Sequence, residues 1–154
     1  MDLVRSISLF ATLLTTGLMA GIYLTFSIAV LPGIARRDDE TFVSAMRGMN
    51  VAILNPLFFL VFVGSLPLGL VAVASRLTEG DRAGLGWAVA GLVLYVVTLV
   101  ITGAINVPLN NQLDSTEPPE AARAVFESKW VRWNAVRTVV CILSFAAFAL
   151  PLVS

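Results

Sequence analysis

The sequence predicts an all-α integral membrane protein, a four-helix bundle with short amphipathic helices at the membrane surface between spans one and two and between spans three and four. Two observations carry this prediction. The 154 residues are 58% hydrophobic and 13% charged, and their mean hydropathy is +0.89. The apolar residues also form four long segments, each near the roughly 20 residues that cross a bilayer. We expect one transmembrane domain, residues 1–154, with spans at about 7–31, 51–75, 84–107 and 132–153.

The composition excludes several classes of function. Ten basic and ten acidic residues give a net charge of zero, so the chain has no positive field to attract nucleic acid. With no histidine and one cysteine, Cys141, an intramolecular disulfide is ruled out and a protein-ligated transition metal is not expected. The first apolar segment is too long for the core of a signal peptide and lacks a clear cleavage site. We therefore predict that it is a retained helix.

The connection between spans one and two predicts a helix on the membrane surface. Pro32 and the charged residues that follow it should end span one, because proline disrupts a helix interior. Residues 41–50 then place their large apolar side chains on one helical face, and Asp38 or Asp39 is available as a cap.

The later elements follow from prolines and turn residues. The Asn55-Pro56 pair in span two is either a helix cap followed by proline or a kink. Residues 76–83 form a short polar loop, and Pro108 should end span three. Residues 115–120 resemble a helix start with a hydroxyl cap, from which one helix could run to about Val153. No internal repeat is apparent.

Two polar clusters interrupt this apolar sequence. Residues 106–111 close span three and residues 130–137 open span four, and amides and a guanidinium in lipid are costly enough to suggest function. Counting the helical rise from both membrane faces puts Asn106 and Arg137 at the same depth near one interface. Thr102 lies on the same stripe of span three as Asn106. The residues predicted to share this layer, as the rim of a pocket, are 23–27, Asn50, Asn55, Asn106, Asn110, Trp133, Asn134 and Arg137.

Each polar feature also has a purely structural interpretation. Trp130 and Trp133 could belong to the aromatic belt at the interface, and Asn106 and Asn110 could cap a helix end broken by proline. Arg137 could bind lipid headgroups, although its neighbourhood of amides favours a ligand. Cys141 is better explained by packing than by nucleophilic chemistry, since no histidine can activate it.

The order of four spans, the motif Asn106-Val107-Pro108-Leu109-Asn110 and the motif Trp130-x-x-Trp133-Asn134-x-x-Arg137 resemble the anthrone oxygenase-like family of small membrane proteins. The likeness covers essentially the whole chain. Fungal members resemble enzymes that oxidise anthrones to anthraquinones in aromatic polyketide pathways, whereas most bacterial members have no assigned reaction.

If the resemblance extends to chemistry, the residue content permits a reaction with neither metal nor flavin, in which molecular oxygen is the co-substrate. An anthrone enolate can pass an electron to oxygen directly, and Arg137 would favour the enolate. No general base stands out, so proton removal falls to water, to a loop carboxylate such as Glu127, or to a tyrosine. The residues implied in catalysis are Arg137, Asn106 and Asn134, and those implied in substrate binding are Asn110, Trp133, Trp130, Tyr23, Asn55 and Thr102.

Two other functions remain open on the sequence alone. The protein could bind a lipid, a quinone or another small hydrophobic ligand without reaction, or act as a helper subunit. A transporter would require oligomerisation, because four spans without an inverted repeat are few, and a homo-oligomer is compatible with the sequence. Counting basic residues places three at one end of the bundle and six at the other, which predicts a multi-pass protein of the cell membrane with the motif end in the cytoplasm.

Overall fold

The described residues of this computed structural model, 3–79 and 82–152, form helices joined by short turns, without strands. The predicted all-α fold class is thereby confirmed. The elements are α1 (Leu3–Thr25), a first π-turn (Phe26–Val30), α2 (Leu31–Ile34), α3 (Asp39–Ala52), α4 (Pro56–Glu79), α5 (Arg82–Ile101), a second π-turn (Thr102–Asn106), α6 (Val107–Ser115), α7 (Pro119–Ala149) and a final 3-10 turn (Leu150–Leu152).

Four continuous helical segments are long and apolar enough to cross a membrane, namely Leu3–Ile34, Pro56–Thr78, Gly84–Ser115 and Pro119–Leu152. They form a ring in which α1 and α5 lie diagonally and each contacts both α4 and α7. Large apolar side chains such as Phe10, Leu60 and Val139 point outward and are exposed. This is the arrangement of a bundle whose outer surface faces lipid.

The prediction that Pro32 and Pro108 end the helices of spans one and three is wrong. The helix continues through each proline because a π-turn comes immediately before it, with Leu31 N donating to Phe26 O and Val107 N donating to Thr102 O. Proline has no N–H, and its ring crowds the carbonyl four residues earlier. The wider π-turn relieves that crowding, so a helix can pass a proline that would otherwise break it.

The surface helix α3 lies where it was predicted, and Asp38 is its cap. The Asp38 carboxylate accepts a hydrogen bond of 2.8 Å from Thr41 N. On the inner face of α3, Phe42, Val43 and Met46 are fully buried. This face therefore packs against the bundle.

The start of α4 settles the alternatives for Asn55 and Pro56. Asn55 Oδ1 accepts from Phe58 N at 2.9 Å, and Pro56 is the first residue of α4. Asn55 is thus a helix cap, and this span begins at Pro56 rather than Val51. At its other end α4 extends to Glu79, so the loop predicted at 76–83 is shorter, and its Gly80-Asp81 turn lies outside the described residues.

The predicted hydroxyl cap of the last helix is also wrong. Helix α7 begins at Pro119 with Pro118 at the cap position and no capping side chain. The hydroxyl of Thr116 instead donates to Gln112 O at 2.7 Å, in the last turn of α6. As predicted, one unbroken helix then runs from this start into the fourth span.

The two halves of the chain repeat one structural pattern, although no internal repeat is apparent in the sequence. A helix, a π-turn and a short helix that contains a proline follow in the same order in each half, and α3 in the first half matches the start of α7 in the second. The contacts of α1 with α4 and of α5 with α7 are also equivalent in the ring. The members of each matched pair are the same number of residues apart. These pairs are Phe26–Val30 with Thr102–Asn106, Pro32 with Pro108, Asp38 with Asp114, and Arg47 with Arg123.

The matched arginines make reciprocal contacts between the halves. Arg47 on α3 donates to Leu113 O at 2.9 Å and to Thr116 O at 3.0 Å, at the end of α6. Arg123 on α7 donates to Ala35 O at 2.8 Å and to Arg37 O at 2.9 Å, just after α2. Each guanidinium therefore caps the carbonyl end of the short helix that follows a π-turn in the other half.

Candidate functional site

A cavity of about 260 Å³ lies at the end of the bundle that carries both polar clusters. The corner between α3 and α4 forms one wall, and the second π-turn with α6 forms the opposite wall. Its volume is slightly below the roughly 300–1,000 Å³ of most small-molecule sites. The lining residues are Ile22, Tyr23, Phe26, Met49, Asn50, Val51, Ile53, Leu54, Phe58, Phe59, Phe62, Thr102, Asn106, Val107, Asn110, Asn111, Asp114, Trp130 and Arg137.

Arg137 lies at the buried end of this cavity and is held by amide and hydroxyl acceptors. Its Nε and Nη2 donate to Asn134 Oδ1 at 3.1 and 2.9 Å, and its Nη1 donates to Thr102 Oγ1 at 3.4 Å. The residue is only 8% exposed. The guanidinium is therefore fixed in position before any ligand enters.

No carboxylate in residues 3–79 and 82–152 forms an ion pair with Arg137. Three of its five N–H donors have acceptors, which leaves two N–H groups without a hydrogen-bonded protein partner in the same ranges. A buried charge without a counter-ion is costly. The site is thus suited to a ligand that carries, or develops, negative charge on an oxygen.

Asn106 is the second polar group aimed at this space. It is 1% exposed, and within the described part of the chain neither its side-chain nitrogen nor its side-chain oxygen has a hydrogen-bond partner. The side-chain nitrogen of Asn50 and the hydroxyl of Tyr23, which lies near Thr102, likewise lack a well-formed hydrogen bond among these residues. Buried polar atoms are normally paired, so a polar ligand would complete this cluster.

Aromatic rings surround the guanidinium. The Tyr23 ring centroid lies 4.3 Å from Arg137 Cζ, and that of Trp130 lies 5.2 Å away. Trp130 is buried and its Nε1 donates to Asn110 Oδ1 at 2.8 Å. Trp130 is therefore a wall of the cavity rather than a member of an interfacial belt, and Asn110 holds it in place instead of capping a helix end.

Three predicted site residues do not line the cavity. Asn134 lies behind Arg137 and also donates to Ser27 Oγ at 2.8 Å, so it positions the guanidinium. Trp133 is half-buried and lies outside the lining, because it is at the edge of the buried stripe of α7 that Trp130, Asn134 and Arg137 form. Asn55 is exposed and its side chain caps α4.

The structure adds residues that the sequence interpretation missed. Asp114 and Asn111 line the cavity, as do the rings of Phe58 and Phe62, which stack at 5.2 Å between centroids. Asp114 could have been found, since it continues the four-residue spacing of Asn106 and Asn110 along one helical face. By contrast Glu127, considered as a base, pairs with Arg123 at 2.7 Å and does not line the cavity.

An apolar groove on the lipid-facing surface lies next to the cavity. It runs along α1 past Leu14, Gly17 and Leu18 to Phe145 on α7. Three residues, Ile22, Phe26 and Ile53, line both the groove and the cavity. They form the partition between the lipid-facing surface and the buried polar cluster.

Comparison with known proteins gives one match. The model of the family described as anthrone oxygenase matches residues 58–147, which is more than half of the chain and includes both polar motifs. No curated protein and no solved structure matches the sequence.

Proposed function

The chain belongs to the anthrone oxygenase family, and we propose on that premise that it is a membrane-embedded enzyme that oxidises a flat, hydrophobic anthrone-type substrate with molecular oxygen. The observation that carries the proposal is the buried Arg137, which has free N–H donors and no carboxylate partner among the described residues. Such a group stabilises an enolate oxygen more than the neutral ketone that precedes it.

The reaction begins with loss of a proton from the methylene opposite the anthrone carbonyl, which gives the enolate. One electron passes from the enolate to oxygen, and the two radicals combine to form a peroxide at the same carbon. This peroxide takes up a proton, loses the second hydrogen of the former methylene as a proton, and breaks its O–O bond. One anthrone and one oxygen molecule thus give one anthraquinone and one water, and no external reductant is needed.

The cavity residues supply what this sequence of steps requires of a protein. Arg137 holds the enolate oxygen, and Asn106 provides an unpaired amide for a second oxygen of the substrate. Tyr23, Trp130 and Phe58 are aromatic walls for a flat ring system. In this scheme the protein binds the substrate and stabilises charge, and the aromatic substrate itself reduces oxygen, without metal or flavin.

A hydrophobic substrate would reach the cavity from the bilayer. The partition residues Ile22, Phe26 and Ile53 separate the cavity from the lipid-facing groove. Ile53 lies in the short turn between α3 and α4, where bonds from Leu54 N to Val51 O and from Asn55 N to Ile53 O replace the regular helical pattern. Movement of this turn would open a lateral path for the substrate.

The proposal is tested by oxygen uptake and quinone absorbance of the purified protein in detergent with anthrone. We expect Arg137→Met to lower turnover by a factor of about 10² to 10³, the typical cost of losing one oxyanion donor. Arg132→Met is the matched control, because Arg132 is an exposed arginine on the same helix. Equal rates for both variants would contradict the proposed reaction, and bound compound without turnover would establish a ligand-binding protein instead.

We also propose that the cavity end of the bundle faces the cytoplasm, because basic side chains are more numerous there. Single cysteines can replace the exposed Thr78 and Glu120, at opposite ends of the bundle, in a Cys141→Ser background. A membrane-impermeant thiol reagent added to whole cells should label the cysteine at position 78 and spare the one at position 120. Labelling at position 120 but not at position 78 would show the opposite orientation, with the cavity end facing away from the cytoplasm.

A further inference from the structure

Asp114 is the one carboxylate among the described residues that line the cavity. It occupies the last turns of α6, on the helical stripe that carries Asn106 and Asn110. Its side chain is 52% exposed, whereas Arg137 at the other end of the cavity is 8% exposed. Asp114 therefore lies at the mouth, in contact with both the cavity and water.

The fold gives Asp114 no structural role that matches that of its counterpart in the first half. Asp38 accepts hydrogen bonds from Thr41 N and Thr41 Oγ1 and caps α3. In the described part of the chain, the Asp114 carboxylate accepts no hydrogen bond, and its one ion-pair contact is Arg47 Nε at 4.0 Å. Arg47 is itself bound more closely by Glu117, at 2.9 Å. The Asp114 carboxylate is thus available for chemistry.

We propose that Asp114 is the general base that removes the methylene proton of the substrate, an inference that rests on the proposed function. In an anthrone the carbonyl and the methylene lie on opposite sides of the central ring. When the carbonyl oxygen is held by Arg137, the methylene points away from the buried end of the cavity and towards Asp114 at the mouth. Proton transfer occurs directly or through one water molecule.

The proton transfer balances without any further reactant. The C–H bond breaks, its electron pair becomes the enolate that faces Arg137, and the proton moves to a carboxylate oxygen of Asp114. The protonated carboxyl then donates the proton to the peroxide anion once oxygen has been added. Because the carboxyl is half exposed, it also exchanges its proton with water, which makes the first step observable without oxygen.

Anaerobic exchange in D2O isolates this step. Protein in excess over anthrone is mixed with D2O in detergent without oxygen, and deuterium at the methylene is followed by mass spectrometry, with protein-free micelles as the blank. We expect Asp114→Asn to slow the protein-dependent exchange by a factor of about 10² or more, the usual contribution of general base catalysis, and Asp114→Glu to restore part of it.

Glu117→Gln is the matched control, because Glu117 pairs with the same arginine but does not line the cavity. Exchange by this variant should stay within about twofold of the parent protein. Exchange by Asp114→Asn at the parent rate, or no protein-dependent exchange at all, would overturn the assignment of the base. If exchange depends on Asp114 but the protein never consumes oxygen in air, the base stands and the proposed oxidation fails.

Discussion

The corner between α3 and α4 and the matched stretch of α7 occupy equivalent places in the repeat, but only one of them leaves a cavity. In the first half the helix ends at Ala52 and restarts at Pro56, whereas in the second half α7 continues without interruption through the same place. The corner faces the second π-turn and α6 across the cavity, and we call this the open side. The unbroken stretch of α7, residues 128–132, faces the first π-turn and α2 across a filled core, and we call this the filled side.

The side chains at matched positions explain this difference. Phe126 and Trp130 on α7 are 0% and 4% exposed and pack with Phe42 in one apolar cluster. Their counterparts at the corner are Asn50 and Leu54, and Leu54 is turned outward to 65% exposure. At the corner, a small amide and a largely exposed leucine thus take the places of two buried aromatic rings, which leaves space for the cavity. A cavity thus forms at one of two equivalent positions because large side chains are missing there.

Buried polar residues of the cavity have apolar counterparts in the repeat. Asn106 and Arg137 correspond in the repeat to Val30 and Val61. Neither valine needs a hydrogen-bond partner, so the filled side obeys the ordinary rules of a membrane interior. The open side departs from these rules with a buried cation and a buried amide, as functional sites commonly do.

Filling the open side should have the largest effect on function. Asn50→Phe places at the corner the residue that its counterpart position carries, and the ring should occupy the cavity of about 260 Å³. We expect turnover to fall about a hundredfold or more, since small displacements of a bound substrate already cost this much. Thermal unfolding in detergent should be unchanged or slightly raised, which distinguishes a blocked cavity from a misfolded protein.

A matched insertion on the outer surface is the control for Asn50→Phe. Leu57→Phe adds a ring at an exposed position in the first turn of α4, outside the cavity lining, and its turnover should remain within about threefold of the parent protein. Comparable losses in both variants would mean that the corner tolerates no larger side chain. The difference between the open and filled sides would then reflect strain rather than space for a ligand.

Asn106→Val should lower turnover and raise stability at the same time. The substitution removes an amide donor from the site, and we expect turnover to fall about tenfold to a hundredfold. It also removes a buried polar group that lacks a partner among the described residues, so the free energy of unfolding should increase by about 1 kcal/mol. Turnover and chemical or thermal unfolding in the same detergent measure both effects.

Thr98→Val is the control for this trade of stability against activity. Thr98 is buried on the same helix, but its hydroxyl donates to Leu94 O at 3.2 Å and it does not line the cavity. Its replacement should neither raise stability nor lower turnover. A gain in stability from Thr98→Val equal to that from Asn106→Val would show that Asn106 is no more costly than an ordinary membrane threonine.

The sequence predicted the fold better than the details of the site. Span number and the inward stripes followed from hydrophobic periodicity, and the layer shared by Asn106 and Arg137 followed from helical rise, because both depend only on regular geometry. The continuation of helices through Pro32 and Pro108 did not follow, since a π-turn has no clear composition of its own. Trp130 and Trp133 were both predicted to bind substrate, but only Trp130 lines the cavity, because Trp133 lies at the edge of the buried stripe of α7.

The repeat and Asp114 were missed for a related reason. Few residues are identical between the halves, and the resemblance is carried by backbone geometry and by pairs such as Arg47 with Arg123. Only the contacts of these arginines show that they perform the same task. Asp114 was missed because its importance depends on the folded structure, in which it lines the same cavity as Arg137. It also depends on the absence, among the described residues, of cap contacts like those of Asp38.

The two matched arginines should separate stability from activity. Arg123 on the filled side is bonded to Asp39 and two carbonyls, lies 4.5 Å over the Phe42 ring and has a side chain only 16% exposed. We expect Arg123→Ala to lower the free energy of unfolding by about 2 kcal/mol with turnover within about twofold of the parent. Thermal unfolding and turnover of the purified variants provide the measurement.

Arg47→Ala should show the opposite balance. The Arg47 side chain is 30% exposed, so its loss should cost about 1 kcal/mol. It holds the carbonyl end of α6, however, next to the cavity residue Asp114, and loosening that wall should reduce turnover about tenfold. Equal changes of stability and activity in the two variants would contradict the division between a filled, structural side and an open, functional side.

The smallest expected effect is on stability at low pH and concerns Asp38, the counterpart of Asp114 in the repeat. The Thr41 amide and hydroxyl donate to Asp38 and hold the pKa of its carboxyl below the usual value of about 4. Because the folded protein then binds this proton less readily than the unfolded chain, Asp38 contributes stability above about pH 4, and the contribution is lost as the pH falls through the lowered pKa.

Asp38→Asn keeps a capping side chain but cannot titrate, so its stability should fall less steeply below pH 4 in acid unfolding series. Thr41→Val removes one of the two donors and should give an intermediate slope. Identical slopes in all three proteins would mean that Asp38 does not cap α3 in solution. The comparison of Asp38 with Asp114, from which we infer that the Asp114 carboxylate is available for chemistry, would then no longer hold.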